Sequence, residues 1–121
     1  MRQLVIALAL PLSALAGPAW AHAFLDHAAP AVGSVARVAP SEVRLVFTQA
    51  LEPAFSTLQV LDAGGKRVDT GDVHVDRANA TVFAVSLPQL PVGKYRVKWR
   101  VLSVDTHVTE GDFTFTVSTH P

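Results

Sequence analysis

The fold is decided by the stretch KYRVKWRVLSVDTHVTEGDFTFTV, residues 94–117. In its first half, apolar and charged residues alternate without exception, as expected for a strand with one buried and one solvent-facing side. The apolar residues are Tyr95, Val97, Trp99 and Val101, and the charged residues are Lys94, Arg96, Lys98 and Arg100. In the second half, Phe113, Phe115 and Val117 alternate with polar residues. This pattern predicts a second strand, separated from the first by a short polar segment.

The polar segment contains Asp105-Thr106-His107. If the backbone is extended there, Asp105 and His107 point to the same side with their Cα atoms about 6 to 7 Å apart. A carboxylate and an imidazole at this spacing can converge on one metal ion, with a third ligand supplied from elsewhere. The same residues also suit a simple loop cap, in which the carboxylate accepts backbone amides and the histidine lies on the surface. Taken alone, this segment leaves both interpretations open.

Residues 1–21 have the anatomy of a secretory signal peptide. A single positive charge, Arg2, precedes an apolar run, and the segment ends in the small-x-small pattern Ala19-Trp20-Ala21. The segment is too short, and too interrupted by proline, for a membrane span. We therefore predict an exported mature chain of residues 22–121, located in the periplasm.

The cleavage position decides the chemistry of His22. Cleavage after Ala21 makes His22 the first residue, so that its α-amine and its imidazole can bind the same ion. Cleavage at a competing site after Ala16 would abolish the amine ligand. The helix-breaking Gly17-Pro18 just upstream favours cleavage after Ala21.

The composition of the mature chain excludes several kinds of site. Without Arg2, nine of the ten basic residues remain against ten acidic ones, which gives a net charge of −1. A chain with this charge does not attract nucleic acid or an anionic membrane. The chain has no cysteine, so it has neither disulfides nor thiolate metal sites. Its one methionine, Met1, leaves with the signal peptide. Any metal site must therefore be built from nitrogen and oxygen.

Turn signals divide the rest of the mature chain into further short strands. We predict these at residues 24–28, 42–51, 55–61, 66–68, 72–75 and 80–87, with an irregular crossing from 28 to 41 and a hairpin turn at 62–65. No helix of convincing length is indicated. About seven short strands in a single domain of this size predict an all-β fold, a small antiparallel β-sandwich of immunoglobulin-like type, with Trp99 between its sheets.

Three motifs, in this order and spacing, resemble the CopC-type periplasmic copper-resistance proteins. They are a histidine directly after the signal peptide, Gly-x-Tyr-x-Val-x-Trp-x-Val at residues 93–101, and Ser-x-Asp-x-His…Gly at 103–111. The resemblance covers the whole mature chain. It implies an immunoglobulin-like or cupredoxin-like β-sandwich that carries copper and catalyses no reaction. We expect a monomer, with an inner-membrane copper transporter of the CopD type as partner.

The resemblance also implies a ligand set for one Cu(II): the amine and imidazole of His22, the carboxylate of Asp105 and the imidazole of His107. Nitrogen and oxygen donors independently suit Cu(II). Gln49 stands where some relatives have a glutamate near the site, and a neutral amide is too weak a ligand to count. The region 58–68 lacks the methionine-rich loop of relatives that bind Cu(I), so no Cu(I) site is expected.

The other histidines are expected on the surface. His27 lies five residues after His22, so strand alternation predicts that it points to the opposite face, into solvent. His74 and His120 are interpreted as surface or tail residues.

Two other functions stay open. An N-terminal histidine with a second histidine also forms the histidine brace of copper monooxygenases. The small chain, the lack of an exposed aromatic platform and the position of Asp105, where an oxidase needs an open site for oxygen, argue against it. A metal-independent immunoglobulin-like interaction module is the other alternative, and it predicts no effect of copper.

Overall fold

The computed structural model describes residues 23–119, which form a sandwich of two four-stranded sheets. Its strands are β1 (Leu25–Ala29), β2 (Val35–Ala36), β3 (Glu42–Phe47), β4 (Thr57–Leu61), β5 (His74–Val75), β6 (Val82–Ser86), β7 (Gly93–Leu102) and β8 (Val108–Val117). Sheet A has the order β1-β3-β6-β5, and sheet B has the order β2-β8-β7-β4. The predicted all-β sandwich is confirmed. No helix among residues 23–119 is long and apolar enough to cross a membrane.

The pairing is antiparallel except where β2 runs parallel to β8. The sequence did not predict β2, which lies within the expected irregular crossing. A strand of two residues is too short to show an alternating pattern. The longest ladder joins β7 and β8 in continuous register from Gly93↔Val117 to Leu102↔Val108. The two strands predicted in residues 94–117 are therefore neighbours that pair along their full length.

The core lies between the sheets and is built from inward-facing residues that alternate along the strands of both sheets. In β3 the inward residues are Val43, Leu45 and Phe47, as their alternation predicts. They face buried side chains of sheet B, which include Tyr95, Val97, Val101, Phe113, Phe115 and Val117. Burying each large apolar side chain contributes about 1.5–3 kcal/mol.

Trp99 differs from this pattern because its ring is half-buried rather than enclosed. It packs against Phe47 and Phe113, each with ring centroids 6.1 Å away. It also lies over Gly111, its partner on β8, where a Cβ atom would come within 2.6 Å of the indole. The prediction that Trp99 belongs to the core is therefore only partly right. Glycine in the strand lets the indole lie directly on the backbone.

Several predicted strands are shorter than expected. The strand predicted at 66–68 is reduced to an isolated bridge, Leu61↔Arg67, and those predicted at 72–75 and 80–87 are reduced to His74–Val75 and Val82–Ser86. The strand predicted at 42–51 ends at Phe47, and the strand predicted at 55–61 begins only at Thr57. Between them the chain crosses from sheet A to sheet B and includes a 3-10 turn at Pro53–Phe55. Proline fixes its own backbone angle and donates no hydrogen bond, so this crossing cannot continue either strand.

Candidate metal centre

The segment from Ser103 to His107 joins β7 to β8 as a tight turn. The amide of Ser103 donates to the carbonyl of His107 at 2.9 Å, and the amide of Thr106 donates to the carbonyl of Ser103 at 2.9 Å. Thr106 has a φ of 70°, in the left-handed region. The backbone is therefore not extended here, so the condition on which the spacing of 6 to 7 Å between Cα atoms depended is not met. The ladder remains paired up to Leu102↔Val108, so the chain must reverse direction within five residues.

Ser103 organises this turn from a fully buried position. Its hydroxyl donates a hydrogen bond to the carboxylate of Asp105, and it accepts one from the amide of His107 at 3.2 Å. The turn is also attached to the crossing segment, because the amide of Val104 donates to the carbonyl of Ala50 at 3.0 Å. Sequence reasoning missed this role of Ser103. The signal was present, since serine commonly bonds the backbone or side chains a few residues along the chain.

The turn brings the two candidate ligands together. Oδ1 of Asp105 lies 3.5 Å from Nδ1 of His107, and their side chains are 39% and 43% exposed. The pKa of Asp105 lies below its usual value, chiefly because the Ser103 hydroxyl donates to the carboxylate, with nearby His107 adding to the effect. The carboxylate is therefore ionised at neutral pH. Although the two side chains are partly exposed, Nδ1 of His107 is itself a buried atom. A carboxylate beside an imidazole is a donor pair that one cation can share.

This pair alone does not complete a metal site. Within residues 23–119, no three histidine, cysteine, aspartate or glutamate side chains group closely enough to hold an ion. His22, the third predicted ligand, lies outside the described residues. The donor chemistry of the pair fits a nitrogen- and oxygen-liking cation such as Cu(II), provided that a further donor comes from outside this range.

The first described residues are anchored beside the pair. The carbonyl of Ala23 accepts a hydrogen bond of 2.6 Å from the hydroxyl of Thr109, which lies two residues after His107. The amide of Phe24 donates to Oγ1 of Thr48 at 2.9 Å, and the amide of Thr48 donates to the carbonyl of Phe24 at 2.9 Å. Ala23 is completely buried. Sequence reasoning did not find these contacts, which join residues far apart in the chain.

His27 is exposed, but not for the predicted reason. The register of β1 against β3 shifts between Leu25↔Phe47 and His27↔Val46, so Asp26 is an extra residue. Such a bulge interrupts strand alternation, which makes the predicted opposite-face argument invalid. The His27 side chain is 66% exposed, and its Nδ1 lies 2.7 Å from Oδ2 of Asp26.

The remaining candidates lie apart from the turn. Gln49 is half-buried in the segment that crosses between the sheets. His74 is exposed on β5, with Nδ1 2.7 Å from the carbonyl oxygen of Asp72, in agreement with its surface assignment. His120 lies outside the described residues.

The fold is a small two-sheet sandwich, and a carboxylate and an imidazole lie on the turn between its two longest strands. These features define a β-sandwich domain with a candidate metal site. The family model of the CopC domain matches residues 25–118. The chain belongs to the CopC domain family.

Relatives with this domain include proteins of copper handling. Protein YobA of Escherichia coli (strain K12) is 34% identical over 118 residues, which cover 96% of this chain and 95% of YobA. Copper resistance protein C of Escherichia coli is 35% identical over 82% of this chain and 83% of its own length. Copper transport protein CutJ of Bacillus subtilis (strain 168) is 31% identical over 93% of this chain, but over only 21% of CutJ. The family is thus one of copper resistance and transport proteins rather than of enzymes.

Solved structures of the family have the same fold. CopC from Methylosinus trichosporium OB3b superposes with a TM-score of 0.77 at 38% identity, over 83% of this chain and 97% of that one. PcoC, a methionine-rich copper resistance protein from Escherichia coli, superposes with a TM-score of 0.72 at 30% identity, over 80% of this chain and 99% of PcoC.

Proposed function

We propose that the mature chain, residues 22–121, is a periplasmic protein that binds one Cu(II) and buffers or delivers it. The ligands are the α-amine and imidazole of His22, the carboxylate of Asp105 and the imidazole of His107. The observation that carries this proposal is the half-exposed pair of Asp105 and His107, 3.5 Å apart on the β7–β8 turn of a CopC domain.

The donor types favour the divalent ion. Imidazole, amine and carboxylate suit Cu(II), whereas Cu(I) prefers thiolate and thioether ligands. The chain has no cysteine, and its single methionine is Met1. It differs in this respect from PcoC, which is methionine-rich. Reduction of the bound ion should therefore loosen it.

The anchoring of Ala23 supports His22 as the missing ligand. The carbonyl of Ala23 accepts a hydrogen bond from Thr109, so the chain directly after His22 is held on the strand that follows His107. Thr109 is itself two residues from His107. If the signal peptide is removed after Ala21, the amine of His22 becomes a second nitrogen donor on the same residue.

The match to CutJ supports a membrane transporter as partner. In that copper transport protein, the region similar to this chain is about one fifth of the polypeptide. A domain that is fused to a transport protein in one organism is expected to work beside such a protein when it is a separate chain. We therefore propose delivery to, or acceptance from, an inner-membrane copper transporter of the CopD type, with no catalytic step in this protein.

The test is a Cu(II) titration of the exported protein in competition with a chelator of known affinity. We expect one tightly bound Cu(II), and we expect His107→Ala to weaken it strongly while His74→Ala leaves it unchanged, because His74 is an exposed histidine apart from the turn. Addition of reductant should release the ion to a strong Cu(I) chelator without continuing oxygen consumption. Unchanged affinity in His107→Ala would contradict the site, and sustained oxygen consumption would indicate a histidine-brace oxidase instead.

A further inference from the structure

We propose that Thr48 and Thr109 are positioning residues for the copper site. Together they form an N-terminal clamp, which holds residues 23 and 24 on the strand that follows His107 and on the end of β3. This inference rests on the proposed function, because it takes His22 to be a ligand. Neither threonine needs to contact the ion.

Thr109 occupies an unusual place for a hydroxyl group. It lies on the side of β8 that Phe113, Phe115 and Val117 occupy further along the strand, and its cross-strand partner is the buried Val101. A hydroxyl at such a position requires a hydrogen-bond partner. Its partner is the carbonyl of Ala23, 2.6 Å away and 86 residues distant in sequence. The hydroxyl therefore ties the start of the domain to the strand that follows His107.

Thr48 holds Phe24, the residue after Ala23, from the side of sheet A, whereas Thr109 lies in sheet B. It directly follows β3, and it makes two hydrogen bonds of 2.9 Å to the backbone of Phe24, one through its hydroxyl and one through its amide. In an ordinary antiparallel pair, a backbone carbonyl would accept the amide of Phe24. Here the side-chain oxygen replaces that carbonyl, which extends the pairing of β1 and β3 beyond Leu25 toward the chain end.

The two threonines therefore hold one short segment from both sheets. Thr48 directly follows β3 of sheet A, and Thr109 lies in β8 of sheet B. Between their contacts, the side chain of Ala23 is completely buried in the core. The ends of a chain normally fray unless they are tied down. A ligand at the first residue needs such an attachment, since hydrogen bonds that orient metal ligands commonly affect affinity by about 10- to 100-fold when removed.

The decisive variant is Thr109→Val, which keeps the shape of the side chain and removes the hydroxyl. We expect about a 10-fold loss of Cu(II) affinity and a broadened electron spin resonance spectrum, because the first residue now samples several conformations. Thr109→Ser restores the hydroxyl and should restore both measurements. Thr114→Val, on the other side of the same strand, is the matched control and should leave both unchanged.

A structural role is distinguished from positioning by combining the change with His22→Ala in a protein that also carries one extra glycine ahead of residue 22, so that both the imidazole and the α-amine are removed. If the clamp acts through His22, Thr109→Val should cause no further loss of affinity in this background. An equal loss in both backgrounds would overturn the proposal. The thermal transition without copper shows whether each variant is folded, and if Thr109→Val does not fold, Thr48→Val is measured in the same two backgrounds with the same expectations.

Failure of the clamp and failure of the copper site give different results. If Thr109→Val binds Cu(II) as the unchanged protein does while His107→Ala does not, the clamp is wrong and the copper site stands. If His107→Ala also binds normally, the proposed site itself is wrong.

Discussion

Asp69 and Asp105 are both carboxylates beside a cationic or potentially cationic partner, yet their surroundings differ. The side chain of Asp69 has 0% exposure, whereas that of Asp105 is 39% exposed. Asp69 accepts hydrogen bonds from the amides of Val60 at 2.8 Å and Gly71 at 2.9 Å, and from Nε of Arg67 at 2.9 Å. Asp105 accepts from the Ser103 hydroxyl and leaves one side open to solvent.

The difference separates an enclosed carboxylate from one that solvent reaches. Burial pushes the pKa of Asp69 upward, but the hydrogen bonds from Arg67 and from the amides outweigh it, so the pKa lies below its usual value. Protein donors surround this carboxylate and hold the 66–69 segment against the edge of β4. The pKa of Asp105 is lowered as well, chiefly by Ser103, but its side chain is 39% exposed. A lowered pKa alone therefore does not identify a metal ligand, because Asp69 and Asp105 share it.

The largest expected effect on stability comes from Asp69→Ala. This change leaves the Val60 and Gly71 amides and the Arg67 guanidinium without their acceptor, and we expect a loss of about 3 kcal/mol in the free energy of unfolding. Urea unfolding of the copper-free protein measures it. Asp112→Ala, which removes an exposed partner of Arg96, is the control and should cost less than about 0.5 kcal/mol. Equal losses would remove the distinction between enclosed and exposed carboxylates.

Asp105→Asn should show the reverse behaviour. We expect a much smaller change in unfolding free energy than Asp69→Ala causes, because the side chain is substantially exposed. Cu(II) binding should be weakened but measurable, with altered electron spin resonance parameters, since one charged oxygen donor is lost and the nitrogen donors remain. Chelator competition and the spin resonance spectrum measure this. A variant that unfolds as readily as Asp69→Ala but binds copper normally would assign Asp105 to the loop-cap role.

Asp72 is an intermediate case, an exposed carboxylate whose oxygens are used by protein donors. The hydroxyl and amide of Ser86, together with the hydroxyl of Thr70, lower its pKa to about 2. Because the folded pKa lies below the unfolded value of about 3.9, the stabilising effect is present above pH 4 and is lost as the pH falls toward 2. Asp72→Asn should therefore be less stable than the unchanged protein at pH 6, with a gap that narrows between pH 4 and 2. Urea unfolding midpoints of both proteins across this pH range measure the difference in stability. A difference that stays constant with pH would show that the carboxylate charge is irrelevant.

The long strands could be predicted from the sequence because their alternation is continuous. The strands at residues 94–101 and 113–117 were predicted correctly, and so was the buried face of β3 at Val43, Leu45 and Phe47. The two-residue strand β2 and the ends of β3 and β4 could not be predicted, because they depend on tertiary hydrogen bonds and on the crossing between the sheets. The bulge at Asp26 has no local sequence signature, and it invalidated the alternation argument for His27.

Sequence reasoning singled out two residues that the structure brings together, but it did not predict the geometry that does so. Asp105 and His107 were singled out by their types and spacing, and the structure brings them within 3.5 Å of one another. The tight turn that does so depends on the buried Ser103 and on the in-register ladder of β7 and β8, which only the fold reveals. The contacts of Thr48 and Thr109 with the first residues join distant parts of the chain, so local patterns do not show them.

The central claim is that His22 binds copper through both its amine and its imidazole, and one comparison tests it directly. The mass of the exported protein first establishes that the chain begins at His22. Its Cu(II) affinity is then compared with that of a protein carrying one extra glycine ahead of His22, which turns the α-amine into a peptide nitrogen without touching the core. We predict an unchanged thermal transition without copper, because an extension at the chain end disturbs few buried contacts, and a larger loss of affinity than Asp105→Asn causes. Equal Cu(II) affinities for the two proteins would contradict the claim.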